Sequence, residues 1–517
     1  MRFNTALLHQ VEKGDKETGA TLTPIYHSSA FYQSSAEQHE KLFHNKANGF
    51  SYTRINNPTI LAFENEMTAL EGGIASVACA SGMAAITNAL LNVVRAGEEI
   101  LASTSLYGGS IDVFRDFEAF GIKTVFVDIH DEQAVEAAIN EKTRVIFAET
   151  IGNPKLDVVD IEKLAETAHK HNLPLVMDNT VATAYLVRPI EKGADIVVNS
   201  TSKYINANSD AISGVITDSG AFRWDKEKYP GMAEYAKFGK FAFTAKLRNG
   251  LFRNTGACLS PQTAFYNLLG METLGLRMER ACDNAKKLAE FLNTYPDVTV
   301  NYPGLSDSLW HAQAEKVLQN GYGAILTIRV GSKERAFDLI NTLTIPKIVS
   351  NIGDTKTLII HPESTLNAHS TQKEKEEAEA RRKAEEERRA ARRIKVSDED
   401  YQVLLRIVQA EAGVCDEKGK ILVADVIINR VLSGKFPGSV KGVVYQGSQF
   451  QPVSNGRINS VKVTAETIRC VDRALDGEDY SNGALYFMNR KASGRKAGWF
   501  DSRLTYLFAH GGHEFFK

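Results

Sequence analysis

Residues 371–393 contain no side chains from which a hydrophobic core could be built. The stretch consists almost entirely of Glu, Lys, Arg and Ala, and no apolar residue in it is larger than Ala. Acidic residues precede basic ones by four positions, an order that supports a solvated helix. The missing apolar stripe argues against a coiled coil. We therefore predict a charged helical linker over residues 371–395, with an independently folded part on each side.

The bulk composition is that of a globular protein with no general affinity for nucleic acid or membranes. A chain of 517 residues, 43% hydrophobic and with a formal net charge of −2, predicts several domains with real cores. The five cysteines include no CxxC pair, which predicts free thiols in a reducing compartment. We see no apolar signal segment and no apolar stretch of bilayer length, so a cytoplasmic location is expected.

The part before the linker alternates between strand-like and helix-like segments. Continuous apolar strands joined by amphipathic helices predict an α/β domain with a mainly parallel sheet, whose ligands bind beyond the carboxyl ends of the strands. We assign residues 60–250 to this large domain and residues 1–59 to an N-terminal arm. The strand candidates are ILAS (100–103), TVFVDI (124–129), RVIFAET (144–150), PLVMDNT (174–180) and DIVVNS (195–200).

Two further folded segments are predicted. Residues 251–370 begin with a long helical stretch and continue with strand-like segments at 324–330 and 357–361, a pattern that indicates a smaller α+β domain. Residues 396–517, after the linker, contain helix-like DYQVLLRIVQAEAG and KGKILVADVIINRVL. They are expected to form a separate, mostly helical domain.

A lysine that follows an apolar strand is the first candidate for chemistry. Lys203, in NSTSKYINANSD, is flanked by Ser200 and Ser202. The hydroxyl groups could donate to a phosphate, and the lysine could form an imine with an aldehyde cofactor. Taken alone, the pattern is weak, because a lysine after a strand is usually a surface residue.

Other candidates follow neighbouring strands. Asp178, in VMDNT, could pair with a pyridinium nitrogen, although it could equally be a capping residue. Ser81, Gly82 and Met83 lie at a strand-to-helix turn whose amide groups could face an anion, although Ser81 could also be a simple N-cap. Tyr107, in LYGGS, could stack on a flat cofactor or be an ordinary loop residue.

Together these motifs resemble those of the pyridoxal-phosphate enzymes of cysteine and methionine metabolism, and most of all the O-acetylhomoserine sulfhydrylases. The resemblance covers residues 1 to about 378 and implies an aminotransferase-like (fold type I) large domain. It rests on ordered stretches that include GATLTPIYHSSAF, YTRINNPT, ACASGMAAI, LYGGS, ETIGNP, MDNT, STSKY and NIGDTKTLIIHPESTLNAH.

The resemblance implies a role for each candidate in binding pyridoxal 5′-phosphate. Lys203 would attach the cofactor and shuttle protons, Asp178 would hold the ring nitrogen, and Tyr107 would stack on the ring. The remaining residues would bind the phosphate or the phenolic oxygen. They are Ser81, Gly82, Met83, Ser200 and Ser202 for the phosphate, Asn153 for the phenolic oxygen, and Tyr52 and Arg54 for the phosphate of a neighbouring subunit in a homodimer or homotetramer.

The implied reaction is γ-replacement on a small amino acid: O-acetylhomoserine and sulfide, or a thiol, give homocysteine and acetate. Cystathionine γ-synthase, γ-lyase and methionine γ-lyase activities remain alternatives. Two departures from the family pattern are visible. INANSD stands where glycines and a histidine are usual, and the charged run replaces the segment that carries the substrate-carboxylate arginine. Activity is therefore expected to be impaired.

The part after the linker has one candidate acid. Glu411 ends an apolar helical run among small residues, where burial could raise its pKa. On these grounds alone a solvated glutamate is the stronger interpretation, and His510 and His513 are too few for a metal site. Residues 396–517 resemble the spore cortex-lytic type of cell wall hydrolases through AEAG, VADVIINRV, FPGSVKGVVYQGSQFQPV and GGHEFF. This resemblance implies a lysozyme-like fold, Glu411 as the catalytic acid, and peptidoglycan as the substrate.

The two resemblances imply different compartments. A sulfhydrylase belongs in the cytoplasm, whereas a cell wall hydrolase or lytic transglycosylase acts outside the membrane. Cell wall cleavage is the alternative main function of the chain, and an accidental fusion of two reading frames is the third possibility.

Overall fold

The computed structural model describes residues 2–11, 14–44, 46–365, 388, 391–447, 449–461, 463–490 and 497–517. The chain forms two compact units, Met1–Ala368 and His369–Lys517. Most of the predicted linker lies outside the described residues, so its helical character stays a prediction.

The first unit combines fourteen described α-helices with eleven described strands. The helices are α1 Phe3–His9, α2 Ala36–Phe43, α3 Pro58–Glu71, α4 Gly82–Leu91, α5 Gly108–Asp116, α6 Glu132–Ala138, α7 Ile161–Lys170, α8 Thr183–Leu186, α9 Ala242–Asn249, α10 Leu251–Thr255, α11 Pro261–Glu272, α12 Leu274–Leu292, α13 His311–Val317 and α14 Lys333–Thr342. The strands are β1 Ala75–Cys79, β2 Glu99–Ser103, β3 Lys123–Val127, β4 Thr143–Glu149, β5 Leu175–Asp178, β6 Ile196–Asn199, β7 Gly214–Asp218, β8 Thr299–Asn301, β9 Thr327–Arg329, β10 Lys347–Ile348 and β11 Leu358–Ile359.

A seven-stranded sheet lies at the centre of this unit, in the order β1-β7-β6-β5-β4-β2-β3. Strands β3, β2, β4, β5 and β6 are parallel, as the sequence predicted. Strand β7 is antiparallel to both of its neighbours, so β1 again runs in the same direction as β6. The carboxyl ends of strands β1 to β6 therefore meet at one edge of the sheet. Helices cover both faces, and strands β2, β4 and β7 are buried along nearly their whole length.

Local sequence signals explain why two important helices begin where they do. Ser81 accepts a hydrogen bond from the Ala84 amide at the start of α4. Asn57 caps α3 through the amides of Thr59 and Ile60, with Pro58 in the first turn. These caps orient the amino ends of both helices.

The region predicted as a small α+β domain has helices α11–α14 and two short strand pairs, β8 with β9 and β10 with β11. Its strands are shorter than the sequence patterns suggested. Helix α14 has no buried residue, and Ile345 and Ile348 are 78% and 62% exposed. Its core is therefore thin beside that of the central sheet.

The second unit packs helices around a buried central helix. Its elements are α15 Asp398–Ala412, α16 Glu417–Leu432, α17 Val440–Val444, α18 Gln451–Ser454, α19 Ala465–Leu475 and α20 Ala497–Arg503, with β12 Tyr486–Met488, β13 Tyr506–His510 and β14 His513–Phe516. Helix α16 is buried on nearly all sides by α15, α17 and α19. The unit is mostly helical, as predicted, but it also contains an antiparallel sheet in the order β12-β14-β13, which the sequence patterns do not predict.

The end of the predicted linker contacts the second unit. The Arg393 guanidinium lies 2.7 Å from carboxylate oxygens of both Asp425 and Asp479. Arg392 pairs with Asp472 at 2.6 Å, and Ile394 is buried. Residues 392–394 thus pack as part of this unit, which differs from the expectation of a solvated spacer up to residue 395.

Among the described residues, no helix is both long enough and apolar enough to span a membrane. All five cysteines are free thiols.

Candidate active sites

The candidate residues of the first unit gather at the edge of the sheet where the parallel strands end. The turn after β1 carries Ser81, Gly82 and Met83, and the loop after β2 carries Tyr107. Asp178 ends β5, and Lys203 follows β6. Because carboxyl ends of strands in one parallel sheet share an edge, residues far apart in the chain form a single site there.

Gly82 allows the amino end of α4 to approach Ser200 closely. A Cβ added at Gly82 would lie 2.5 Å from the Ser200 Cβ and 2.8 Å from its Oγ. Ser200 is itself fixed, because its amide donates to the Thr180 Oγ1 at 2.7 Å. The free amide groups of a helix amino terminus and a hydroxyl group therefore face one small space, which is a suitable cradle for a phosphate.

Ser202, the other predicted phosphate ligand, uses its hydroxyl elsewhere. Its Oγ donates to the Ser213 carbonyl at 3.0 Å and accepts from the Ser213 amide at 2.8 Å. A serine has only one hydroxyl proton, so Ser202 cannot donate to a phosphate in this arrangement. The geometry favours Ser200 over Ser202 as a ligand.

Two carboxylates, the buried Glu149 and the partly exposed Asp178, lie side by side on adjacent strands. Glu149 of β4 is paired in register with Asp178 of β5. Burial raises the pKa of Asp178 to about 6. Burial, followed by repulsion from Asp178, raises the pKa of Glu149 well above its usual range. The amides of Thr180, Tyr107 and Asn153 donate to this pair but carry no charge. A cation placed here would relieve the repulsion.

Tyr107 and Asn153 are positioned by Glu149. The Tyr107 amide donates to one Glu149 oxygen at 2.6 Å, and the Asn153 amide donates to the other at 3.3 Å. The Tyr107 side chain is 42% exposed. It remains available to stack on a flat group at the sheet edge.

The Lys203 amine lies in a partly buried position, and burial lowers its pKa. Its Nζ donates to the Asn351 Oδ1 at 2.5 Å. An amine with a lowered pKa loses its proton more readily, which favours attack on an aldehyde. Asn351 belongs to the loop between β10 and β11 and was not among the predicted site residues.

Tyr52 and Arg54 lie on the N-terminal arm. The Arg54 guanidinium lies 5.6 Å from the Tyr52 ring centroid and donates to the Arg253 carbonyl at 2.5 Å. Tyr52 is 43% exposed. The two residues are close to each other and reach the surface.

In the second unit, Glu411 lies near the end of α15 between two buried alanines. Burial raises its pKa to about 7, although the charge of Arg457 acts in the opposite direction. Arg457 is held by the Ala410 carbonyl, to which it donates at 2.6 Å. With such a pKa, about half of the molecules would carry a protonated Glu411 near neutral pH, and a general acid must be protonated to act.

The two tail histidines have separate surroundings. His510 lies 2.8 Å from the Asp416 carboxylate, whereas His513 packs edge-on against Phe487. Among the described residues, no group of three or more His, Cys, Asp or Glu side chains could hold a metal ion.

Glu149 and Asn351 are the site residues that sequence reasoning missed. Both lie in stretches already noted, ETIGNP and NIGD. The neighbouring position of Glu149 depends on the register between β4 and β5. The approach of Asn351 to Lys203 depends on contacts between distant parts of the chain.

The residues present fit pyridoxal phosphate. The cradle at Gly82 and Ser200 suits its phosphate, the Asp178–Glu149 pair suits its protonated ring nitrogen, and Lys203 suits its aldehyde. Each part of the cofactor thus has a matching group at this edge of the sheet.

Comparisons with known proteins agree with this assignment. A sequence model of the Cys/Met metabolism PLP-dependent enzymes matches residues 4–384, and one described as Cell Wall Hydrolase matches residues 416–516. The second match begins after Glu411. The O-acetyl-L-homoserine sulfhydrylase of Corynebacterium glutamicum is 41% identical over 387 residues, covering 71% of this chain and 88% of that protein. The L-methionine gamma-lyase of Fusobacterium nucleatum is 39% identical over 364 residues, covering 70% and 87%.

A crystal structure assigned to an O-acetylhomoserine (thiol)-lyase of Campylobacter jejuni superposes with a TM-score of 0.69 at 30% identity. It covers 72% of this chain and 92% of that one, and it carries a pyridoxyl-lysine monophosphate group. The fold predicted for the first unit, α/β of the pyridoxal-phosphate type, is confirmed.

Proposed function

Because the chain belongs to the Cys/Met metabolism PLP-dependent enzyme family, we propose that its first unit catalyses γ-replacement on an O-acylated homoserine. O-Acetylhomoserine and sulfide, or a thiol, would give homocysteine and acetate. The observation that carries this proposal is the convergence of Lys203, Asp178 and the Gly82–Ser200 cradle at one sheet edge. The sulfhydrylase from Corynebacterium glutamicum, at 41% identity, supports the choice of reaction.

When bound, the cofactor supplies an electron sink for the substrate's α-carbon. The cradle at Gly82, Met83 and Ser200 would hold its phosphate, and Tyr107 would lie against its ring. Asp178 would keep the ring nitrogen protonated, and Glu149 lies beside Asp178 on the adjacent strand. Asn153, fixed through Glu149, would lie near the phenolic oxygen.

Lys203 would move the protons of the reaction. When it is not bonded to the cofactor, its Nζ would be a free base that can accept protons from the substrate's carbons. Its lowered pKa keeps more of it unprotonated near neutral pH. The Lys203 amine holds only one such proton at a time, so it would have to release the α-proton before it accepts the β-proton, after which acetate leaves and sulfide adds.

Turnover should be weaker than that of a typical member of the family. The expected substrate-carboxylate arginine would lie after Glu377, where the charged run begins. Arg388, Arg392 and Arg393 pair with carboxylates of the second unit instead. Losing a charged hydrogen bond of about 1.5–3 kcal/mol would lower kcat/KM at least roughly tenfold.

The test is to incubate the chain with pyridoxal phosphate and O-acetylhomoserine, with and without sulfide. Sulfide-dependent homocysteine, lost in Lys203→Ala, is the expected product. A keto acid and ammonia formed without sulfide would instead support the lyase alternative, for which the Fusobacterium relative is a precedent. No product from any of these substrates would contradict the proposal.

A homo-oligomer, at least a dimer, is part of the proposal. The N-terminal arm exposes several large apolar side chains: Leu22 44%, Tyr26 39%, Tyr32 98% and Phe43 50%. Exposed apolar groups clustered along one segment are typical of an interface. Tyr52 and Arg54, on the same arm, would then reach the cofactor phosphate of the neighbouring subunit.

For the second unit we propose cleavage of peptidoglycan glycan strands with Glu411 as the general acid. The raised pKa of Glu411 and the Cell Wall Hydrolase match to residues 416–516 support this function. The products separate two mechanisms, since hydrolysis leaves a reducing end and a lytic transglycosylase leaves an anhydro-muramyl end. Mass spectrometry of digested sacculi distinguishes them, and unchanged sacculi would contradict the proposal.

We propose a cytoplasmic location for the first activity. Five free thiols, two of them partly exposed, fit a reducing compartment. Glycan cleavage needs access to the wall, so the two proposed activities would not operate in the same place.

A further inference from the structure

Lys203 lies at one end of a chain of three hydrogen bonds that the proposed reaction does not use. The Lys203 Nζ donates to the Asn351 Oδ1 at 2.5 Å. The Asn351 Nδ2 donates to the Ser209 Oγ at 3.0 Å. The Ser209 hydroxyl in turn donates to the Asp354 carboxylate.

The direction of this chain follows from its far end. A carboxylate only accepts, so the single proton of Ser209 is directed at Asp354. The Ser209 oxygen must then accept from the Asn351 amide NH₂. The amide oxygen of Asn351 is thereby left facing the Lys203 amine.

Asp354 is kept ionised. Burial alone would raise the pKa of Asp354, but hydrogen bonds from Ser209 and Lys356 lower it. Lys356 also lies 3.1 Å from its Oδ1. The acceptor at the end of the chain is therefore charged at neutral pH, which strengthens the hydrogen bond from Ser209.

The two loops that carry these residues are in close contact. Gly353 has a φ of +77°, and a Cβ there would lie 2.5 Å from the Tyr204 nitrogen and 2.8 Å from the Lys203 carbonyl carbon. The Thr355 amide donates to the Ala207 carbonyl at 2.9 Å. The loop between β10 and β11 is thus packed directly on the backbone of Lys203.

We propose that Asn351 is a positioning residue that holds the Lys203 amine through its side-chain oxygen, with Ser209 and Asp354 fixing the orientation of the amide. The inference rests on the proposed role of Lys203 as the cofactor lysine. Asn351 accepts from the charged amine and cannot take its proton, so it stabilises the protonated form against the effect of burial. It also places the nitrogen beside the loop between β10 and β11.

The test measures the pKa of the Lys203 amine itself. Protein freed of cofactor is labelled with trace acetic anhydride across a pH series, and acetylation of the Lys203 peptide is quantified by mass spectrometry. Asn351→Leu, which removes the acceptor, should lower this pKa by about 1 or more, and Asn351→Asp should raise it. Ser209→Ala should lower it by less, because the amide loses its fixed orientation.

Ser350→Ala is the matched control, since it removes an exposed hydroxyl from the neighbouring position of the same loop. It should leave the titration unchanged. Asn351→Asp is nearly isosteric, so it keeps the test valid if Asn351→Leu does not fold. A purely structural role would not shift the pKa in opposite directions. Titrations of Asn351→Leu or Asn351→Asp that coincide with the parent would overturn the proposal.

The labelling needs neither cofactor nor substrate, so it separates this inference from the proposed function. Failure of the parent protein to bind pyridoxal phosphate would contradict the proposed function but would not affect the measurement of the Lys203 pKa. In cofactor-loaded protein, the pH dependence of the visible absorption band should shift in the same directions. Opposite shifts there would contradict the inference.

Discussion

Replacing Gly82 with Ala should weaken cofactor binding at least tenfold, because the added methyl group has no room. It would lie 2.5 Å from the Ser200 Cβ, whereas carbon atoms normally rest about 3.5–4.0 Å apart. Ser200 must therefore move by about 1 Å. Its amide is held by Thr180 at 2.7 Å, so the movement breaks a fixed contact.

The competing effects can be weighed. Overpacking of this kind costs about 1–3 kcal/mol, whereas the better helix propensity of Ala returns at most about 1 kcal/mol. Displacing the Ser200 hydroxyl also removes one hydrogen bond to a charged phosphate, typically about 1.5–3 kcal/mol. That loss alone corresponds to a roughly 10- to 100-fold rise in Kd.

The assay is a titration of cofactor-free protein with pyridoxal phosphate, followed by the visible band. Gly438→Ala is the control, since an added Cβ there meets no atom within 4 Å. It should not change the Kd. If Gly82→Ala binds the cofactor as tightly as Gly438→Ala does, the phosphate does not lie between α4 and Ser200.

Three further changes test separate parts of the account. Ala207→Gly should change the stability of the first unit by less than about 1 kcal/mol in urea unfolding, because relief of the strain at a φ of +77° offsets the loss of a buried methyl group and the greater freedom of the unfolded chain. A loss of about 2 kcal/mol or more would contradict the strain. Arg393→Ala should destabilise the second unit by about 3–5 kcal/mol, because it leaves the fully buried Asp425 without its cation. Arg473→Ala, which removes exposed ion pairs, should cost under about 1 kcal/mol. Similar losses of stability in the two variants would show that burial is not decisive. Glycan cleavage should fall as the pH rises through about 7, where Glu411 loses its proton. The Glu411→Gln variant should not cleave glycan strands. Muropeptide release by this variant equal to that of the parent would mean that Glu411 is an ordinary helix-end residue.

The parallel strands and their order along the chain could be predicted because strands buried on both faces are continuous apolar runs. Strands β2, β3, β4, β5 and β6 begin and end within two residues of the expected positions. Because ligands bind at the carboxyl edge of such a sheet, Lys203, Asp178 and Ser81 could be assigned to one site from the sequence alone.

The three strands of the second unit were not predicted. Strand β14, His513–Phe516, was noted for its histidines and for its resemblance to the cell wall hydrolases but not as a strand, and β12 has three residues. Such short aromatic segments carry too little periodicity to distinguish a strand from a loop. Their pairing depends on contacts across the unit.

Contacts between residues far apart in the chain could not be predicted from the sequence either. The Glu149–Asp178 pair requires the register of two strands, and the hydrogen bond between Lys203 and Asn351 joins residues 148 positions apart. Likewise, Ser202 has the expected position for a phosphate ligand, but Ser213 occupies its hydroxyl. A motif gives the residue type at a position, whereas neighbouring groups decide which hydrogen bonds it makes.

The most direct test of the central claim is to add pyridoxal phosphate to the purified chain, reduce it with borohydride and map the modified peptide by mass spectrometry. We expect a yellow protein that loses its colour on reduction and carries the pyridoxyl group on Lys203. A protein that stays colourless with added cofactor, or one labelled mainly on another lysine, would contradict it.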